Sequence, residues 1–206
     1  MLIWQIARKA CWCCAFLASA SFVGLTQTSA VPPAPVSPAR LSPTGQADAV
    51  FMKEFYARIS KYLGLRKKEA GSPPKPTKSA VKLAEIKNAM AEKIQAARAD
   101  AKQGDIFTPE ITAYFRKRIA TALKGPRGAK IRSSLRHAEP VQGIQLHVNQ
   151  KYPDGVPLQS APPSLLMNLP RLPKELEYRI VGNDLALHDT GPNLVVDFIP
   201  GAIPSP

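Results

Sequence analysis

A dense run of basic side chains is the feature of this sequence that points most directly to chemistry. No aspartate or glutamate occurs between Ile111 and Ala138. The same span contains eight lysines and arginines, namely Arg116, Lys117, Arg118, Lys124, Arg127, Lys130, Arg132 and Arg136. Such side chains bind anions through charge-assisted hydrogen bonds and through the release of counterions. The run therefore predicts an anion-binding surface, and a solvated face that only aids solubility is the alternative.

Histidines are the second group with chemical potential, because imidazole is a common metal ligand. The chain has three, His137, His147 and His188. If a strand at 143–148 paired with the hairpin that carries His188, then His147 and His188 could meet on one face and would be the candidates for a metal site. The spacings His-x-x-x-His and His-Glu-x-x-His are absent, so two half-exposed strand histidines are favoured. No metal and no cofactor is predicted.

Other catalytic arrangements gain little support. The Gly-x-Ser-x-Gly motif of a serine nucleophile is absent, and residues 125–130 lack the spacing of a nucleotide-binding loop. Glu175 and Glu177 could share a strand face, but paired acids that cleave glycosides need a deep cleft. The sequence therefore predicts a protein that is not an enzyme, with a small hydrolase as the least favoured alternative.

The first thirty residues are predicted to be a cleaved export signal. Arg8 and Lys9 precede an apolar run at 10–25, and the small residues of 28–30 follow it, which is the order of parts in a secretory signal. The apolar run is shorter than the roughly 20 residues that a spanning helix needs. Cleavage is expected after Ala30, with a cut after Ala20 or an uncleaved anchor as the alternatives.

The predicted signal limits what the mature chain can do. All three cysteines of the chain (Cys11, Cys13 and Cys14) lie within it, so no disulfide or thiol chemistry is expected afterwards. No later segment is apolar for long enough to span a bilayer, so no transmembrane span is expected in the mature chain. A periplasmic or secreted location, with no aromatic residues interleaved on the basic face, argues against nucleic acid as the partner. An anionic envelope surface or polymer is favoured, and a protein partner of unknown identity is open.

The elements that must position the basic run begin after a proline-rich tether at 31–46. A helical region at 47–124 contains three amphipathic helices, in which apolar residues recur at spacings of three and four. The first helix is predicted over 47–63, with Gly64 as its stop. The basic residues 66–68 are then expected to lie in a loop.

The second and third helices are predicted from their capping residues. Thr77 or Ser79 caps the second helix, which ends at Gly104. Thr108, with a proline at the next position, opens the third helix, and glycine and proline at 125–126 stop it. Residues 125–140 are then expected to form a basic linker. The three helices are expected to bury their apolar stripes against one another in a small antiparallel bundle.

A small β-rich module is predicted at 141–200, followed by a tail at 201–206. It begins with a short strand at 143–148 and includes one helical turn at 164–169. Three strands joined by tight turns then form an antiparallel meander, at 176–181, 185–188 and 194–199. The meander is expected to pack on residues 162–172 or on a helix. The predicted fold class is thus α+β, with three amphipathic helices, a short strand and a three-strand antiparallel β-meander.

The C-terminal segment resembles known families. Leu169-Pro170, Tyr178-Arg179, Gly182-Asn183-Asp184 and Val195-Val196-Asp197 are similar to the end of the RcnB-type periplasmic family, which is associated with nickel and cobalt homeostasis. The same segment, together with residues 104–119, also resembles uncharacterised exported bacterial proteins. The resemblance implies an address outside the cytoplasm, and it places no metal-handling residue on this chain.

Charge divides the chain and completes the prediction. Residues 31–140 carry 22 lysines and arginines against 9 acids, whereas residues 141–206 carry 4 against 6. The first part therefore attracts anions and the second does not. We predict an exported, non-enzymatic binding or scaffolding protein of the cell envelope, whose basic patch meets anionic surfaces. A periplasmic metal-homeostasis protein of the RcnB type is the alternative.

Overall fold

The computed structural model describes residues 43–71, 76–137 and 144–204. The predicted export signal and most of the proline-rich tether lie outside these ranges. The described residues form five helices and a four-stranded antiparallel sheet, so the predicted α+β class is confirmed. No helix among them is both long enough and apolar enough to cross a bilayer.

Helix α1 spans Pro43–Ala70 and is longer at both ends than the predicted 47–63. Its first residues had been assigned to the tether. The predicted stop at Gly64 is wrong, because the helix continues through this residue and Leu65 packs against the core beyond it. The predicted loop at 66–68 is wrong for a related reason. Arg66 reaches the buried Asp189, at 2.6 Å from Nε to Oδ2, and this contact holds the last turns of the helix.

Helix α2 spans Ala80–Ala97 and is capped by Ser79, whose side chain accepts from the backbone N–H of Lys82. It ends seven residues before the predicted stop at Gly104, since Arg98 already leaves the helical conformation. Only the C-terminal half of the predicted apolar stripe is covered. Ala91 and Ile94 are fully buried, whereas Leu83 is 47% exposed.

Helix α3 spans Pro109–Ala122 and begins as the sequence predicted. Thr108 caps it by accepting from the backbone N–H of Ile111 at 3.4 Å, and proline occupies the first turn, where its missing N–H costs nothing. Its buried face carries Ile111, Tyr114, Phe115, Ile119 and Ala122.

Helix α4 spans Gly125–His137, where the sequence predicted a basic linker. Ile131 is buried and Leu135 packs against the core, so this helix has an apolar edge that the linker prediction overlooked. Gly128 lets α4 approach the end of α3, because a Cβ at this position would overlap the carbonyl of Leu123. The predicted stop of α3 at residues 125–126 is therefore the start of a new helix.

The sheet has the order β1-β2-β3-β4. Its main strands confirm the predicted meander, and β1 is a two-residue addition that pairs with β2. The short helix α5 spans Pro163–Leu166 and confirms the predicted helical turn in outline. The strands are β1 at Gln159–Ser160, β2 at Leu176–Val181, β3 at Asp184–Asp189 and β4 at Leu194–Ile199.

The predicted strand at 143–148 does not form, since residues 144–147 have no regular structure. The chain pairs with β4 slightly later. Asn149 donates its backbone N–H to Val195 at 2.8 Å, and Val195 donates to Gln150 at 2.9 Å. Asn149 adopts a positive φ of 63°, which turns the chain there and ends any extended run.

One hydrophobic core joins the helices to the sheet. Phe55 of α1, Phe115 of α3 and Tyr178 of β2 contact one another in series, with ring centroids 5.2 and 5.9 Å apart. Leu165 and Leu169 belong to the same buried cluster, so the meander packs on both of its predicted partners. The sheet's other face carries a smaller cluster, which Leu146 and Tyr152 cover. The helical region and the β-rich module are therefore two sides of one packed unit.

Candidate anion-binding site

The basic run folds onto two consecutive helices. Only two residues separate the end of α3 from the start of α4, and Gly125 turns the chain with a φ of 71°, a conformation that favours glycine. Arg116, Lys117 and Arg118 thus lie on α3, Lys124 lies in the turn, and the other four predicted residues lie on α4. A segment expected to be half loop is held in regular structure.

Two of the predicted anion-binding residues are engaged in holding α3. Arg116 donates from Nη2 to the carbonyl of Pro200 at 2.7 Å. Arg118 donates from Nε to the carbonyl of Asn168 at 3.1 Å, and its guanidinium lies 6.0 Å from the ring centroid of Tyr114. Their bonds go to backbone oxygens, so both keep a full positive charge at the surface.

Four other side chains form what we call the basic corner: Lys117, Lys124, Arg127 and Lys130. All four are exposed, and none has an ion pair with an acid within the part of the chain that the structure describes. Lys117 lies on α3 and Lys124 lies in the turn that follows it. Arg127 and Lys130 are three residues apart on α4 and so lie on one side of that helix. Of the remaining predicted residues, Arg132 donates to the carbonyl of Leu123, and Arg136 lies in the last turn of α4.

A cavity of about 310 Å³ adjoins the basic corner, and we call it the corner cavity. It lies among α3, α4, β2, the turn between β2 and β3, and the C-terminal tail. Its cationic lining residues are Lys124 and Arg132, and none of the lining residues that the structure describes is acidic. The rest of the lining is mostly apolar: Ala120, Leu123, Leu135, Ile180, Ile203 and Pro204, with Gln159, Gly182 and Asn183.

Sequence reasoning missed this cavity, because its walls come from segments that are distant along the chain. Lys124 and Arg132 were both predicted as anion-binding residues, and the structure brings them to one cavity. Their apolar neighbours Ile180 and Ile203 come from the sheet and the tail. Only the Ile131 and Leu135 spacing, four apart on one helical face, could have indicated that the basic segment covers an apolar surface.

Two larger cavities of the described chain differ from the corner cavity in their charges. One of about 540 Å³ lies beside α1 and the end of α2, where Arg98 and Asp105 approach to 4.0 Å. The other, of about 630 Å³, lies beside α5 and β2 and contains the Arg179–Glu177 ion pair at 2.5 Å. Opposite charges accompany each other in both, so neither favours an anion as the corner cavity does.

The two candidate metal ligands have different surroundings. His188 is buried on β3, with Nδ1 3.0 Å from Glu177 Oε1 and Nε2 2.8 Å from Asn193 Oδ1. His147 is exposed, in the segment where the predicted strand does not form. The pairing that was to bring both histidines onto one sheet face is thus not made. Within the described residues, no three histidine or carboxylate side chains gather in a way that could hold a metal ion.

Asp189, at the end of β3, is one of two fully buried acids among the described residues, and both tie the helices to the sheet. Its Oδ2 accepts from Tyr62 Oη at 2.7 Å and from Arg66 Nε at 2.6 Å, and its Oδ1 accepts from the backbone N–H of Gly191 at 3.0 Å. Burial and the neighbouring Asp189 charge raise the pKa of Tyr62. The hydroxyl therefore stays protonated and keeps donating.

Asp197 of β4 is the second buried acid and accepts only backbone N–H groups. Its Oδ2 takes those of Ile106 and Phe107, both at 2.8 Å, and its Oδ1 takes those of Gly104 at 3.1 Å and Phe198 at 2.8 Å. Burial raises the pKa of Asp197, and the backbone donors oppose that rise. The side chain fixes the loop that leads into α3. Neither acid was predicted from the sequence to have this role.

No protein-family model, no curated protein sequence and no solved structure matches this chain.

Proposed function

We propose that this is an exported, non-enzymatic protein that binds anionic surfaces of the cell envelope through the basic corner. The observation that carries the proposal is the exposure of four cations on two anchored helices and the turn between them, with no acidic partner among the described residues. A cation in an ion pair gives up part of its attraction for an external anion, and these have not done so.

The packing of α3 and α4 supports the same proposal. Ile111, Phe115 and Ile119 fix α3 in the core, and Ile131 fixes α4. Because the helices are anchored by their apolar sides, their charged sides keep a defined arrangement. Cations held in place lose less conformational entropy on binding than cations on a flexible linker.

Binding to lipid vesicles tests this function. The chain is co-sedimented with vesicles of neutral phosphatidylcholine and with vesicles that also contain anionic phosphatidylglycerol. A variant with Lys117→Gln, Arg127→Gln and Lys130→Gln removes three cations of the basic corner. Each basic residue near an anionic surface contributes about 1 kcal/mol, so we expect roughly 100-fold weaker binding to the anionic vesicles.

A matched control separates the basic corner from net charge. Lys53, Lys87 and Lys93 are exposed on α1 and α2, and changing all three to glutamine removes the same charge elsewhere. The control variant should bind nearly as the unchanged chain does. Equal losses in the two triple variants would reject a specific role for the corner, and equal binding to both vesicle types would reject anion binding altogether.

The exported location rests on residues 1–30 and is tested separately. N-terminal sequencing of the protein from its native cells should give a chain that begins after Ala30 or after Ala20. An intact Met1 in a membrane fraction would instead support the uncleaved anchor.

A further inference from the structure

We propose that the corner cavity binds the acyl chain of a fatty acid, and that Lys124 and Arg132 hold its carboxylate. The proposal rests on the proposed function, since it makes a lipid-derived anion the ligand of the same surface. It goes further by assigning a single molecule to a defined cavity.

The walls of the corner cavity fit a hydrocarbon chain. Leu123, Leu135, Ile180 and Ile203 line it from four different parts of the fold. Apolar walls with a few polar groups are typical of small-molecule sites. Each buried methylene strengthens binding about fourfold, so such walls reward every carbon of the chain that they cover.

The charges of the corner cavity fit an anionic head. The backbone carbonyl of Leu123 accepts a hydrogen bond from Arg132 Nη1, which positions the guanidinium and leaves its other N–H groups for a ligand. Lys124 follows the last turn of α3, where a helix dipole favours a cation. Among the described residues the lining contains no acid, so none of them competes with a ligand for either cation.

The size of the corner cavity favours a ligand with a single acyl chain. Its volume of about 310 Å³ stands at the lower end of the range of roughly 300–1,000 Å³ for ligand sites. A single medium-length acyl chain suits that space, whereas the two long chains of a phospholipid exceed it. A carboxylate has two oxygens, so it can accept from an ammonium and a guanidinium together.

Calorimetric titration with decanoate, at concentrations below micelle formation, tests the proposal. Decanol has the same chain without the charge, and acetate has the charge without the chain. We expect saturable binding of decanoate, at least about tenfold weaker binding of decanol, and no measurable binding of acetate. Binding of decanol as tight as that of decanoate would overturn the role of the cations, and no binding of decanoate would overturn the site.

A matched pair of variants locates the ligand. Ala120 is exposed and lines the corner cavity, so Ala120→Phe narrows it with little effect on the core. Ala113 is exposed on the same helix and is not among the lining residues. We expect Ala120→Phe to weaken decanoate binding by about tenfold or more and Ala113→Phe to leave it unchanged. Similar effects of the two variants would contradict the assignment.

Two further measurements keep the outcome clear. Lys124→Gln should weaken decanoate and leave decanol unaffected, a pattern that a folding defect does not produce. The triple variant at Lys117, Arg127 and Lys130 changes no residue of the cavity lining, so it should still bind decanoate while it loses anionic vesicles. If Ala120→Phe loses decanoate binding but still binds anionic vesicles, the corner cavity and the basic corner are separate binding sites. A chain that binds vesicles but never decanoate would refute this inference alone.

Discussion

The charged residues of the sheet and those of the α3–α4 corner differ in burial and in hydrogen bonding. The comparison is between Asp189 and Asp197 on the sheet and Lys124 and Lys130 at the corner. Both acids have 0% exposure, and their oxygens accept from Tyr62, Arg66 and backbone N–H groups. The cations are exposed and have no acidic partner among the described residues. A buried charge whose hydrogen bonds are all made inside the protein is committed to its internal partners. An exposed charge without an acidic partner remains available to a ligand.

Among the substitutions that test this comparison, the one at Asp197 is expected to lower the free energy of unfolding most. In Asp197→Asn one carboxylate oxygen becomes an amide nitrogen, which then faces backbone N–H groups that donate and cannot accept. Leaving buried donors unsatisfied should lower the free energy of unfolding by about 3 kcal/mol. Urea denaturation measures the change.

Asp184→Asn is the control for Asp197→Asn. Asp184 is only partly buried and accepts a single backbone N–H, that of Gly201 at 2.8 Å. Its replacement should cost less than about 1 kcal/mol. Equal costs at the two positions would show that the four bonds to Asp197 are not what holds the loop before α3.

A smaller effect is expected from Tyr62→Phe, which removes one donor to Asp189 and keeps the aromatic ring in the core. Hydrogen bonds to charged groups contribute about 2 kcal/mol, and Arg66 still pairs with the acid. Tyr56→Phe is the matched control. The Tyr56 hydroxyl donates to the backbone carbonyl of Arg171 at an exposed site, so the loss of this hydrogen bond should cost under about 1 kcal/mol. Thermal unfolding of both variants checks the difference, and identical melting temperatures would contradict it.

The smallest effect concerns pH. Because burial raises the pKa of Asp197 in the folded state, the folded chain binds more protons than the unfolded chain between the two pKa values. The stability that Asp197 contributes should therefore fall as pH rises from about 3.9 through the folded pKa, and be constant above it. NMR titration of the carboxyl carbon measures this pKa directly, and a value below that of an unfolded aspartate would reverse the sign.

Glu110 contributes to the pH profile with the opposite sign. Hydrogen bonds from its own backbone N–H and from Thr108 lower its pKa, so its contribution is present above the ordinary pKa of glutamate and is lost as pH falls through the lowered one. The pH dependence of unfolding is therefore best measured in Glu110→Gln as well. The difference between the two profiles isolates the acid at the start of α3.

Local patterns predicted the parts of the fold that depend on neighbouring residues. The Thr108 and Pro109 start of α3 and the three strands of the meander follow from capping, propensity and alternation, and the structure confirms them. The anion-binding residues were predicted from composition alone, namely from the run of basic residues at 111–138.

What was missed depends on contacts between distant residues. The described apolar edge of helix α4 consists of Ile131 and Leu135. Their spacing of four was the one local indication of a helix, and packing on α3 supplies the rest. The extension of α1 past Gly64 depends on Asp189, which is 123 residues from Arg66. The corner cavity needs β2 and the C-terminal tail, which no local pattern places beside Lys124.

The most direct test of the central claim is the binding of the unchanged chain and of its two triple-glutamine variants to anionic vesicles as salt is raised. Exposed charges are screened over roughly 10 Å at 0.1 M salt, so binding of the unchanged chain should weaken steeply. We expect the control at Lys53, Lys87 and Lys93 to follow it closely. The variant at Lys117, Arg127 and Lys130 should bind weakly at low salt and change little. Parallel curves for all three proteins would contradict the claim that the basic corner binds anionic surfaces.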